Sequence, residues 1–183
     1  MTDLDAVDRC LVALLQVDGR LSHAELSRRL GVPEPTVRRR LKHLLEGGVM
    51  QIVAVPNPHK IGYGIHAIVG LRIRPGKSTD VVRHLQALRE VRYVGVTAGA
   101  YDIVVEALFR DNDGFREFLT ETLGGIDGLV GTETSYVLEV AKRSYKVGLA
   151  ADIDGESCNA EDQAVLRRCL AALRDLGEDT EPR

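Results

Sequence analysis

Arg38, Arg39, Arg40 and Lys42 place four cations within five consecutive positions, with Pro35 and Thr36 just before them and His43 just after. Such groups pair with anionic oxygens, and a guanidinium can also grip the O6/N7 edge of guanine through two parallel bonds. At about 100° per residue, Pro35, Arg39, Lys42 and His43 lie opposite the apolar stripe Val37, Leu41 and Leu44, and Arg38 and Arg40 flank that stripe. This places Arg39, with Pro35 and Thr36 near the N-terminal end, to approach base edges. Arg38, Arg40 and Lys42 are placed for phosphates. A solvated basic face on an ordinary helix is the competing reading of the same residues.

The elements that would position these side chains are legible around them. Ser22-His-Ala-Glu25 has the spacing of a capping box, in which the serine hydroxyl takes an orphan N–H and the glutamate reaches back. Leu26 and Leu30 share a face, and Gly31 follows where a helix ends in a left-handed residue. Pro33 and Pro35 fall in the turn and the first turn of the next helix, where a missing N–H costs little. Residues 20–45 thus predict a helix-turn-helix that presents its second helix to the major groove of double-stranded DNA. A helix over 3–18, capped by Thr2 or Asp5 and striped by Leu4, Val7, Leu11, Leu14 and Leu15, completes a three-helix unit. Val49–Val55 is a β-rich run fit for a wing or a hairpin arm, and Pro56 to Gly64 reads as a linker.

Beyond the linker the pattern changes. His66 to Arg74 alternates as a strand, and Ser78 caps a helix with Val81, Val82, Leu85 and Leu88 inward. Tyr93–Ala98 and Tyr101–Phe109 are strands around a Gly99-Ala100 turn. Asp113 opens a second helix carrying Phe115, Phe118, Leu119 and Thr122, and Val130–Val140 is the last strand. The order βαββαβ predicts a ferredoxin-like sandwich, two helices on one face of an antiparallel sheet. Val104 and Leu108, opposite Ile103, Val105 and Phe109 in the alternation, are also apolar, so the second sheet face needs cover. A second copy of the chain supplies it most simply, and a dimer also suits recognition helices that span two half-sites. The fold class is therefore α+β: a winged helix-turn-helix over 1–50, an arm and linker over 51–64, a ferredoxin-like domain over 65–148 and an acidic tail over 149–183.

The net charge of −3 conceals a strong asymmetry: residues 20–45 hold seven Lys/Arg against two Asp/Glu, and residues 150–183 hold four against nine. The basic field sits where the recognition helix is. No run of eighteen apolar residues and no leader pattern is present, so a cytoplasmic protein without a membrane partner is expected. Cys10, Cys158 and Cys169 have no metal-ligand or CxxC spacing and read as reduced, buried or idle thiols. The histidines His23, His43, His59, His66 and His84 make no ligand set, and neither a catalytic triad order nor a phosphate loop stands out. No enzyme activity, cofactor or metal is expected.

These residues together resemble the Lrp/AsnC (feast/famine) family of transcription regulators. The matching features are Leu4-Asp5-x-x-Asp8, Asp18-Gly19-Arg20, Leu26-Ser-Arg-Arg-Leu-Gly31-Val, Thr36-Val-Arg-Arg-Arg-Leu, Gly47-Gly48-Val49 and Lys60-Ile-Gly-Tyr63. Gly99-Ala-Tyr101-Asp102 and Thr132-Glu-Thr134 follow in the second domain, and the likeness covers roughly residues 2–146. Pro33 departs from the family pattern, standing where a serine cap is usual, and the family's arginine near Gly131 is absent. The resemblance implies a ligand-sensing (RAM-type) second domain, dimers that assemble further to octamers, and an amino-acid-like effector held between dimers. It makes Gly99, Ala100, Tyr101 and Asp102 candidate effector contacts, with Thr132 and Thr134 next. The chemistry is consistent: Asp102 can take an ammonium and the N–H groups of a glycine turn a carboxylate.

The tail exceeds the usual family length. Residues 151–159 read as a linker, and Asn159 with Asp162 can start a helix carrying Val165, Leu166, Cys169, Leu170 and Leu173. An acidic amphipathic helix docked on the body or a neighbour is the simpler expectation; a vestige of a second DNA-binding unit is the other. An architectural DNA-binding oligomer without effector remains the alternative to a ligand-modulated regulator.

Overall fold

The structure is a computed structural model and describes residues 4–146 and 160–178. It divides into two compact units, one from the described residues of Met1–Ala54 and Ser144–Arg183, the other Val55–Arg143.

The first unit is helical. Helix α1 spans Ala6–Val17, with Asp5 as its N-cap accepting from the Asp8 N–H; Thr2 lies outside the described residues. Helix α2 spans His23–Leu30, with the Ser22 hydroxyl accepting from the Glu25 N–H at 3.1 Å. Glu25 does not reach back to complete the box. Its carboxylate turns along the helix to Arg28 and Arg29, whose charge outcompetes a neutral N–H. Gly31 closes α2 at φ 66°, and α3 runs Glu34–Glu46 with no side-chain cap at Pro33. Leu11, Leu14, Leu26, Leu30, Val37, Leu41 and Leu44 form one core. The run predicted as a wing forms no strand: Val49 and Met50 pack on that core, while Ile52, Val53 and Val55 are exposed. A lone extended segment has no ladder partner within this unit.

The tail helix α6, Ala160–Glu178, belongs to the same unit and packs on α1 and α2. Leu166, Cys169, Ala172 and Leu176 are buried in the helical core. Cys169 meets Cys10 of α1, its Sγ 4.0 Å from the Cys10 carbonyl, and both thiols are free. That contact and burial push the Cys10 thiol well above its usual range. Cys158, Asn159 and the proposed linker lie outside the described residues.

The second unit is the sandwich: β1 Ile65–Ile73, α4 Ser78–Gln86, β2 Val91–Val96, β3 Ile103–Phe109, α5 Asn112–Glu117 continued by a π-helical turn over Phe118–Thr122, and β4 Leu129–Tyr136. All pairings are antiparallel in the order β2-β3-β1-β4. Lys77 rather than Ser78 is the N-cap residue of α4, and Asp111 rather than Asp113 caps α5 through the Gly114 N–H. Ala67, Val69, Leu71, Ile103, Val105 and Ala107 are fully buried on the helix-covered face. The other face is less bare than the alternation predicts. Leu108 is buried and Val104 half-buried in the single chain. The chain after β4 stays beside β1 through the Val137 N–H to His66 carbonyl bond, and it brings Arg143 onto Glu106. Ile68 and Tyr93, both opposite Glu106 in register, stay exposed there.

Candidate nucleic-acid interface and effector turn

On α3 the predicted cations separate into different environments. Arg39 is exposed, has no ion-pair partner among the described residues, and borders a surface depression shared with Glu34, Pro35, Arg38 and Lys42. Arg38 is held by Glu34 at 3.1 Å and Lys42 lies 3.8 Å from Glu46, both exposed i,i+4 pairs that phosphates can displace. His43 is exposed and Thr36 half-buried. Arg40 turns inward. Its guanidinium reaches Asp5 at 2.6 Å and Asp8 at 3.2 Å, tying α3 to the start of α1. Asp8 is 4% exposed, and burial, reinforced by Asp5, raises its carboxyl above the usual range although Arg40 pulls the other way. Arg40 is thus committed to holding α3 against α1.

Arg29, which sequence reasoning passed over, is similarly committed. It donates to Glu25 at 2.5 Å and lies 3.5 Å from the Ala172 carbonyl of α6. Hydrogen bonds from Arg28 and Arg29 hold the Glu25 carboxyl down at about 2. Its i+3/i+4 spacing signals the pairs but not the link to the tail.

In the second unit, Gly99 and Ala100 lie exposed in the loop between β2 and β3. The loop is braced from within. The Thr97 hydroxyl donates to the Tyr101 carbonyl at 2.6 Å, and the Asp102 N–H donates to the Leu71 carbonyl. One Asp102 oxygen accepts the Ile73 N–H at 2.7 Å. The Tyr101 ring lies over Gly70, where any Cβ would sit 2.6 Å from ring carbons. Arg72 stacks on the ring 5.5 Å from its centroid. A hydrogen bond to Glu133, with burial, raises the tyrosine pKa. Thr132 and Thr134 pair with Leu71 and Val69, so they stand on the helix-covered face, opposite the face that Tyr101 covers. The structure therefore brings Gly99–Asp102 together with Arg72 and Glu133, and not with the two threonines. A glycine inside a strand was the sequence signal for the Tyr101 approach.

Two family models match: the AsnC-type helix-turn-helix domain over residues 4–45 and the Lrp/AsnC ligand binding domain over residues 66–147. An HTH-type transcriptional regulator of Pyrococcus abyssi is 42% identical over 143 residues, 78% of this chain and 90% of its own. The chain belongs to the Lrp/AsnC family. A transcriptional regulator of Neisseria meningitidis, solved as a complex with L-Met, superposes with a TM-score of 0.72 at 29% identity, covering 79% of this chain and 96% of that one. E. coli AsnC shares the fold with a TM-score of 0.69 at 24% identity, over 77% of this chain and 96% of its own. Lrp/AsnC membership makes this chain a transcription regulator with a helix-turn-helix domain and a ligand-binding domain, not an enzyme. Among the described residues no helix is long and apolar enough to cross a membrane.

Proposed function

We propose that this chain is a cytoplasmic, sequence-specific regulator that reads double-stranded DNA with α3 and is modulated by an amino acid bound at the Gly99–Asp102 loop. The observation that carries the DNA reading is the division of labour on α3: Arg40 is spent on packing, which leaves Arg39 exposed one helical turn beyond Pro35, on the face that a recognition helix turns to base edges. Arg38 and Lys42, with His43, flank it for phosphates. In the loop, exposed N–H groups around Gly99 and Ala100 suit a carboxylate, the Asp102 oxygen not used by Ile73 suits an ammonium, and Tyr101 walls the site. Thr132 and Thr134 are assigned no contact in it. Dimers assembling to octamers bring two loops together, and the exposed Ile68 and Tyr93, on either side of Glu106, supply apolar side chains for the dimer contact.

A specific observation favours a second reading, an architectural DNA-binding oligomer without effector: Asp102 and Tyr101 already have partners inside the chain. Thermal melting against a panel of amino acids separates the two, because a ligand that binds only the folded state raises the melting temperature. A rise with one amino acid, lost in Asp102→Ala, supports sensing. No rise with any amino acid supports the architectural reading.

A further inference from the structure

The tail helix α6 lies outside both family matches, the second of which ends at residue 147, yet it is built into the helix-turn-helix unit. Its buried stripe faces α1 and α2, while Arg167 and Arg168 are exposed. Arg168 occupies a particular place: its guanidinium lies in the space that a side chain on Gly31 would need, a Cβ there falling 2.6 Å from Arg168 Cζ. Gly31 closes α2 and stands three residues before α3 begins. The tail therefore delivers a guanidinium to the turn of the helix-turn-helix, close to the N-terminal end of α3. Among the other arginines of α2 and α3, Arg28 and Arg29 pair with Glu25 and Arg40 with Asp5 and Asp8, while Arg38 is held by Glu34 in an exposed pair that phosphates can displace. Arg168 has no carboxylate partner among the described residues. A groove is walled by phosphates, and an unpaired guanidinium at its rim meets them without regard to sequence.

We infer that Arg168 is a phosphate-contacting residue of the DNA interface, donated by the C-terminal tail helix. This rests on the reading that α3 enters DNA. The test is the salt dependence of binding to a mixed-sequence duplex, followed by fluorescence anisotropy, for wild type, Arg168→Gln, Arg168→Lys and Arg116→Gln, the last an exposed arginine of α5. Each phosphate contact contributes about 0.9 to the slope of log affinity against log salt. Arg168→Gln is expected to lower the slope by about that amount per bound chain, with the melting temperature unchanged. Arg168→Lys and Arg116→Gln should keep the wild-type slope. An unchanged slope in Arg168→Gln overturns the inference and leaves the DNA reading intact, as does a slope lost only together with a lowered melting temperature. An equal loss in Arg116→Gln overturns it too, by reducing the effect to net charge. No duplex binding by wild type overturns the DNA reading and the inference with it.

Discussion

Arg39 and Arg40 are adjacent in sequence and opposite in role, because about 100° of rotation carries one to solvent and the other onto Asp8. Arg39→Ala should leave stability unchanged and cost about 1–3 kcal/mol of discrimination per half-site, read as the ratio of affinities for a selected site and random duplex. Equal losses on both would remove its base-reading role. Arg40→Ala should instead lower folding stability by about 2 kcal/mol in denaturant titration, since it strands a buried carboxylate. Glu25 makes a pH-dependent contribution of known sign. Its folded pKa, about 2, lies below the ordinary 4.5. Its bonds to Arg28 and Arg29 are therefore fully present above pH 4.5 and fade as pH falls toward 2. The melting temperatures of wild type and Glu25→Gln should differ at neutral pH and converge across that window. A constant gap would contradict it.

At the scale of elements, α6 completes the helical core, so Leu166→Ala should cost about 2–5 kcal/mol, the penalty of a buried leucine and not of a surface tail. A change within experimental error would show that the helix is dispensable. The outer sheet face offers the complementary case. Gly70→Ala must displace the Tyr101 ring, and overpacking of this kind costs about 1–3 kcal/mol in denaturant titration, while Gly131→Ala on β4 meets open space and should be tolerated. How far these elements were legible follows from the range of the forces involved. Ser22, Gly31 and the Val37/Leu41/Leu44 stripe act within one or two helical turns, so spacing alone reveals them. Arg40 is assigned to phosphate by helix geometry because its partner Asp8 lies 32 positions away. Tyr101 reads as a turn residue because Gly70 and Glu133 come to it from other strands. The tail stripe of Val165, Leu166 and Cys169 is visible as amphipathic, yet periodicity says nothing about which surface it will meet. The observed N-caps, Lys77 and Asp111, precede Ser78 and Asp113 by one and two residues, because spacing alone does not fix a helix end to the residue.

For the whole molecule, two recognition helices must be held at a fixed spacing, and the exposed Ile68–Tyr93 patch is the surface proposed to do so. Ile68→Asp should shift a light-scattering mass toward the monomer while the sheet stays folded, because an unpaired charge in an apolar contact costs several kcal/mol. A wild type that is itself monomeric at micromolar concentration would end that assembly scheme. The central claim is that this chain selects DNA sequences through α3. It is tested most directly by selection of genomic fragments with the purified protein. The account predicts enriched fragments that share a pseudo-palindromic site whose half-sites lie one helical turn or a multiple of it apart, with the enrichment lost in Arg39→Ala. Recovered fragments indistinguishable from the input, or sites selected equally well by Arg39→Ala, would contradict it.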